Sequence, residues 1–308
     1  LPNKYIVSIG AHAVDYYYDV EGFPTAGDFT HAVFKGTRVG GCVCNCAAVM
    51  AAHGQDVYHL DCLKENEEST EIILSELRKR NIHTDYVKKD KNAVNCSCLI
   101  MCHESEKTIY VVSAVTPCFK DEERLDNLLS HASYIYTLMN VVHDDFDSLE
   151  PLKRAKENGT KIIFDGGSYY KDSYEIDYIY KLSSGVFMNA QSYARLKEVT
   201  GEEPYVKYLR EGGEFMCVTD GSKGAYCYSK DGIFHEEALK IEVVDSTGAG
   251  DSFAGAFIAS LNRGLSYAEA LRYATANGAY ACTKEGGMSG GTDIENLKEF
   301  AHKHNLEL

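Results

Sequence analysis

Short runs of strand-forming residues alternate along this chain with longer stretches of helical period. Lys4 to Ile9 is β-rich and ends at Gly10, and similar runs recur at Asp56 to Leu60, Ser133 to Leu138, Lys161 to Asp165, Val186 to Asn189 and Phe215 to Thr219. Helix-like segments lie between many of them. In Glu68 to Arg80 acids gather at the start and bases at the end, and Ile72, Ile73 and Leu77 form an apolar face. That arrangement suits both the helix macrodipole and a 3.6-residue period. Strands alternating with helices predict an α/β chain whose mostly parallel sheet is covered on both faces. Two segments break the rhythm: Tyr16 to Arg38 and Ala93 to Val112 read as strand material without helices, the second turning through Glu104, Ser105 and Glu106. They predict a small β lid over one edge of the main sheet, with ordinary edge strands as the alternative. No repeat, low-complexity tract or Pro- or Ser-rich linker divides the chain. The expectation is therefore one unit over residues 1–308, with lid strands drawn from about 12–38 and 93–113.

Composition narrows the partners. A chain of 308 residues can bury a large core. Its 31 Lys and Arg against 46 Asp and Glu give a formal charge of −15, and no basic block breaks that balance. Nucleic acid and anionic membrane surfaces are disfavoured as partners, although helix N-termini still offer local positive potential to a phosphate. Eleven cysteines, an odd number scattered through hydrophobic stretches with no leading signal-like segment, suit reduced thiols and predict a cytoplasmic protein. Cys42, Cys44, Cys46 and the pair Cys96, Cys98 invite a metal-site reading. They lack a CxxC pair or a closely spaced His, which favours small buried hydrophobes instead. No apolar stretch approaches the ~18–20 residues of a membrane span, so the expectation is a soluble protein.

The richest segment chemically is Asp245-Ser-Thr-Gly-Ala-Gly-Asp251, followed by Ser252-Phe253-Ala254-Gly255-Ala256-Phe257. Three small residues, Gly248, Ala249 and Gly250, precede an acid at the mouth of a helix with Phe253, Ala256, Phe257 and Leu261 on its apolar face and a stop at Gly264. Such a turn leaves backbone N–H groups unpaired at the positive end of a helix, and residues with little or no side chain let a phosphate approach them. An acid there can accept the proton of an alcohol attacking the γ-phosphoryl group. On the glycines and the acid alone, an Asp251 that merely complements the helix dipole, worth ~0.3–1 kcal/mol, is the stronger reading.

The run from Asp245 to Ile258 resembles the C-terminal signature of the ribokinase or phosphofructokinase-B (PfkB) family, in which the last Asp is the catalytic base. Gly40-Gly41-Cys42-Val43-Cys44-Asn45-Cys46-Ala47-Ala48 resembles the family's sugar-binding segment. Two signatures about two hundred residues apart, in the family's order, make chance matching a poor explanation. The resemblance covers almost the whole chain and implies a ribokinase-like three-layer sandwich that uses ATP with Mg²⁺. It implies Asp251 as base and Gly248, Ala249 and Gly250 as the anion hole. It further implies acceptor contacts at Asp15, Gly41 and Asn45, and at Asn140, which stands where ribokinase has a substrate-binding Glu. On the nucleotide side it points to Asn189, Thr219, Gly221, Ser222 and Gly224, and to Asn277 beside the adenine. Asp245 and Thr247 fall where some relatives hold a monovalent cation such as K⁺. A homodimer clasped through the lid is implied as well.

The match is not uniform. Asn189-Ala-Gln-Ser192 puts Ser192 where the family often has a Glu supporting Mg²⁺. Ala13 and Cys42 stand where ribokinases carry Asn and Lys, which argues against a ribose specialist. The aromatic run Tyr16-Tyr17-Tyr18 serves equally as acceptor stacking or lid packing. The reading that results is a kinase for a primary hydroxyl of a sugar or sugar derivative, of fructokinase, 2-keto-3-deoxygluconate kinase or ribokinase type. A nucleoside kinase or a non-catalytic sensor on the same fold is the alternative. A nicotinamide oxidoreductase fails locally, since Ser8-Ile9-Gly10-Ala11-His12-Ala13 lacks the Gly-x-Gly-x-x-Gly turn.

Overall fold

The computed structural model describes residues 5–104, 106–112, 119–120, 122–139, 141–142, 146, 148–166 and 180–308. Its strands are β1 (Tyr5–Ile9), β2 (Ala13–Val20), β3 (Ala32–Gly40), β4 (Asp56–Leu60), β5 (Cys62–Lys64), β6 (Lys88–Asp90), β7 (Ser97–His103), β8 (Glu106–Val112), β9 (Tyr134–Leu138), β10 (Lys161–Asp165), β11 (Gly185–Asn189), β12 (Phe215–Thr219), β13 (Ala225–Ser229) and β14 (Gly232–Glu236). The α-helices among the described residues are α1 (Cys42–Ala52), α2 (Glu68–Lys79), α3 (Glu123–Ser130), α4 (Glu150–Glu157), α5 (Ala190–Thr200), α6 (Pro204–Arg210), α7 (Ala249–Asn262), α8 (Tyr267–Cys282) and α9 (Ile294–Lys303).

Eight strands make the main sheet in the order β14-β13-β12-β11-β10-β9-β1-β4. From β4 to β12 every pairing is parallel, and β13 and β14 close one edge as an antiparallel hairpin. All five residues of β1 are buried, as a strand covered on both faces requires. Alternate residues divide between two cores. Val7, Ile9, Ile135, Ile162 and Phe164 pack on one side with Leu125, Leu152, Leu196 and Tyr208 from α3, α4, α5 and α6. Ile6, Val57, Tyr136, Ile163 and Phe187 face α1, α2, α7 and α8. The product is a three-layer α/β sandwich.

Charge and burial along α2 follow its local sequence. In α2 the buried face is Ile73, Leu74 and Leu77, with Glu68 and Glu71 in the first turn and Arg78 and Lys79 in the last. Ile72, expected on that face, is only partly buried beside it. Helix α7 departs further from the expected one-sided pattern, because every residue from Ser252 to Ser260 is buried. A Cβ on Gly255 would fall 2.6 Å from the Cys46 carbonyl oxygen, so this glycine sets how closely α7 approaches α1.

A separate four-stranded sheet, β3-β2-β7-β8, carries the segments expected to form the lid. It leaves the main sheet just after β1, where Gly10 and Ala11 both have positive φ. Strand β2 pairs antiparallel with β3 and parallel with β7, and β7 pairs antiparallel with β8. The stretch between β2 and β3 is not strand. Val33, Phe34, Ile109, Tyr110, Val111 and Val112 on the outer strands are exposed.

Candidate active site

The carboxyl ends of the parallel strands and the start of α7 meet at one edge of the sheet, the usual place for a ligand in an open α/β fold. Gly248 precedes α7 with φ +74°, and a Cβ on it would run into the backbone of Gly287. Both the dihedral and the close approach demand glycine there. The helix ladder begins with Ser252 N–H donating to the Gly248 oxygen at 2.8 Å. Of the N–H groups immediately before it, that of Ala249 donates to the Ser246 oxygen at 3.3 Å, and those of Gly250 and Asp251 are the ones a helix end leaves without internal partners. A Cβ on Gly250 would meet nothing within 4 Å, so the space beside that turn is open to a ligand.

Asp251, in the first turn of α7, accepts a hydrogen bond from Asn45 Nδ2 at 2.7 Å. The side-chain oxygen of that amide is buried with no hydrogen-bond partner. Burial pushes the Asp251 carboxyl up to about 7; the bond from Asn45 works against the shift and the charge of Asp165 adds to it. A base poised near neutrality is what proton abstraction from an alcohol calls for. Asn45 is held in place by α1, whose start is fixed by the two glycines before it. Gly41 has φ +97°, and a Cβ there would strike the Ala11 carbonyl oxygen. A Cβ on Gly40 would displace the Asp15 carboxylate.

Asp15 lies on β2, only 7% exposed, between Arg38 of β3 and Cys98 of β7 in the strand register. Burial raises its pKa; a hydrogen bond with Cys98 and the charge of Arg38 oppose the rise. Cys42, at the start of α1, is exposed rather than buried as expected, and it faces the same acidic region: the charge of Asp251 is the main reason its thiol sits far above the ordinary value, with Asp165 adding to it. Asp15 thus lies against Gly40, just before the start of α1, and Asn45 of the same helix reaches Asp251 at the start of α7.

Sequence reasoning missed Asp165. It ends β10, receives a hydrogen bond from the buried Tyr136 hydroxyl at 3.0 Å and acts electrostatically on Asp251. A lone acid at the end of a predicted strand carries little signal. Its position one residue before Gly166 at the carboxyl edge of the sheet was the available clue.

On the nucleotide side, Asn189 and Thr219 are direct register partners at the ends of β11 and β12. Asn189 caps α5, its side chain accepting from Ser192 N–H at 2.8 Å, and Ser192 itself is buried. Gly221 and Gly224 both take positive φ in the turn after β12, with Ser222 exposed between them. Asn277 is placed differently from the expectation of an adenine contact: it is fully buried, paired with His53 Nε2 at 3.0 Å and donating to the Gly290 oxygen at 3.0 Å. Its amide fastens α8 to α1 and to the turn over Gly287–Gly290. Asn140 lies outside the described residues.

Asp245 and Thr247 are engaged from within the chain. Asp245 accepts from Thr247 N–H at 2.9 Å, from the Thr247 hydroxyl at 2.6 Å and from Gly286 N–H at 3.1 Å, and it pairs with Lys107 of β8 at 3.0 Å. Although burial opposes it, this set of donors holds the Asp245 carboxyl well below the usual range.

Solved structures with this architecture cover nearly the whole chain. A ribokinase from Arabidopsis thaliana, solved with ribose and ATP, superposes with a TM-score of 0.82 at 22% identity over 96% of this chain and 98% of that one. A nucleoside kinase from Methanocaldococcus jannaschii gives 0.79 at 18% over 99% and 100%. The fold is therefore that of the ribokinase-like α/β proteins. The model of the pfkB family carbohydrate kinases matches residues 3–294, and the chain belongs to that family. Among curated relatives, a 5-dehydro-2-deoxygluconokinase of Clostridium perfringens is 28% identical over 173 residues, 52% of this chain and 51% of that protein. An aminoimidazole riboside kinase of Salmonella typhimurium is 29% identical over 171 residues, 51% and 54%. These matches span about half the length of the relatives concerned.

Proposed function

We propose that this protein transfers the γ-phosphoryl group of ATP to a primary hydroxyl of a sugar or sugar derivative, with Asp251 as the base. The observation that carries the reading is the Asp251 carboxylate, raised to about 7 and hydrogen-bonded to Asn45 at 2.7 Å, immediately after an open glycine turn at a helix start. Asp15 and Asn45 would bind the acceptor's hydroxyls; the unpartnered buried oxygen of Asn45 is suited to accept from one of them. The backbone of Gly248, Ala249 and Gly250 would hold the phosphoryl oxygens.

The residues present fit a nucleotide with Mg²⁺. Among the described residues no group of three or more His, Cys, Asp and Glu could hold a metal by itself. Mg²⁺ characteristically keeps its waters and binds through one or two carboxylates and substrate phosphates, and it neutralises charge on those phosphates. Asp165, which acts electrostatically on Asp251, would be the carboxylate that supports it, since Ser192 is buried in the first turn of α5. Thr219, Gly221, Ser222 and Gly224 would line the nucleotide side. The four-stranded sheet would act as a lid that excludes water while Asp251 takes the proton, because water in the cleft competes with the alcohol.

The exposed apolar residues of β3 and β8 would meet a second copy, giving a homodimer clasped through the lids. No described helix is long and apolar enough to cross a membrane. The cysteine usage carries the proposal of a cytoplasmic setting. The deciding experiment measures ADP release from ATP across sugars, keto-deoxy sugar acids and ribosides, with Asp251→Asn as the reference. Turnover with a sugar that vanishes in the variant supports the reading. Turnover confined to nucleosides would move the acceptor class, and binding without turnover would leave a sensor.

A further inference from the structure

The turn that introduces the anion hole already contains a cation, and this chain supplies it. Lys107, on β8 of the four-stranded sheet, brings its ammonium 3.0 Å from Asp245 Oδ1 and hydrogen-bonds the Thr247 hydroxyl. The Asp245 side chain is 17% exposed and that of Lys107 37%, so the pair is less screened than one on the open surface. One carboxylate and one hydroxyl are hard oxygen donors of the kind a free K⁺ would use. Here the donors are taken, and K⁺ could enter only by displacing a tethered ammonium. The set does not suit a free cation.

The position matters because one carboxylate joins two segments. Asp245 holds the N–H and hydroxyl of Thr247 and also the N–H of Gly286. Gly248 follows Thr247 and packs against the backbone of Gly287. Residues 245–248 and 286–287 are therefore set together by Asp245, and Lys107 balances its charge. A second tie from the same sheet, Arg38 to Glu285 at 2.8 Å, lies next to it.

We infer that Lys107 is a positioning residue whose ammonium does, from within the chain, the work of a monovalent cation at Asp245 and Thr247, and so orders the glycine turn when the four-stranded sheet is docked. The inference rests on the phosphoryl-transfer reading of that turn. It makes the kinase independent of added K⁺ and links docking of the sheet to assembly of the phosphate site. Without Lys107, Asp245 keeps a partly buried charge that lacks its counter-ion, and a dissolved cation gains a place to bind.

MgATP binding tests this without knowledge of the acceptor. Calorimetric titrations would compare wild type with Lys107→Ala and Lys107→Met, each in tetramethylammonium chloride and in potassium chloride, with thermal unfolding to show that the variants are folded. Wild type should bind MgATP equally in both salts. The variants should bind about tenfold more weakly in tetramethylammonium, as for loss of a charge-assisted hydrogen bond, and recover in potassium. Full affinity of the variants without potassium would overturn the inference. So would a loss that potassium does not relieve, since Lys107 would then serve only to dock the sheet, and so would wild-type affinity that rises with potassium. Wild type that binds no MgATP in either salt would overturn the phosphoryl-transfer reading and this inference with it; the other results bear on the inference alone.

Discussion

At the scale of single residues, the proposed chemistry turns on the ionisation of Asp251. Its carboxyl is raised to about 7 chiefly by burial, so turnover should climb as pH rises through that value and level off above it. Asn45→Ala removes a hydrogen bond that favours the charged form. The midpoint of the pH–rate profile should then move upward, and an unchanged or lowered midpoint would disprove the role of that bond. Asp251→Asn should keep MgATP binding yet lower turnover by ~100-fold or more; normal turnover would exclude the residue as the base. The same change bears on stability. A carboxyl whose folded pKa lies above its unfolded value of 3.8 costs nothing below that unfolded value, and its cost grows until pH passes the folded value. Asp251→Asn should therefore melt a few degrees above wild type at about pH 8, with the gap closing near about pH 4. Melting curves at the two pH values check the sign.

At the scale of elements, the two glycines of the anion turn have separate reasons. Gly248 is fixed by its positive φ and by the backbone of Gly287, while Gly250 faces open space. Gly248→Ala should lower the melting temperature and disturb the site together. Gly250→Val should melt close to wild type but lose MgATP affinity, because the added side chain fills the space a phosphate would enter. A Gly250→Val protein with full affinity and activity would reject the proposed phosphate position. The segment Gly40-Gly41 behaves similarly, one glycine leaving room for Asp15 and the next allowing α1 to start against Ala11. In this way the turn that begins α1 fixes the relation between Asp15 and the helix that carries Asn45 to Asp251.

For the whole molecule, the four-stranded sheet is the part whose relation to the rest matters most. It carries the buried Asp15, ties to the 245–247 turn through Lys107 and to Glu285 through Arg38, and leaves apolar side chains of β3 and β8 exposed. If those side chains clasp a second copy, Val111→Glu should convert a dimer into a monomer in sedimentation equilibrium and weaken acceptor binding. Wild type that sediments as a monomer at every concentration would rule out the clasp. Away from the cleft, burial lowers the His53 pKa to about 4. In the unfolded chain it takes up a proton already near 6.5, so its contribution to stability is lost as pH falls between these values.

Much of this was legible in the residues alone. Periodicity located the parallel strands to within a residue, since a strand buried on both faces is written as a near-continuous apolar run, as in Tyr5–Ile9, where the buried Ser8 pairs its hydroxyl with His59 Nδ1. The Asp245–Asp251 segment could be recognised because its small residues and its acid are consecutive, and local geometry then follows from local sequence. Tertiary structure alone could show that Asn45, from a helix 206 positions away in sequence, hydrogen-bonds Asp251. It alone brought Asp165 into the electrostatics of Asp251, turned the Asn277 amide inward and delivered Lys107 from another sheet to Asp245. Such relations depend on which strands become neighbours and on what burial does to a charge, and neither is written in the spacing of residues along the chain.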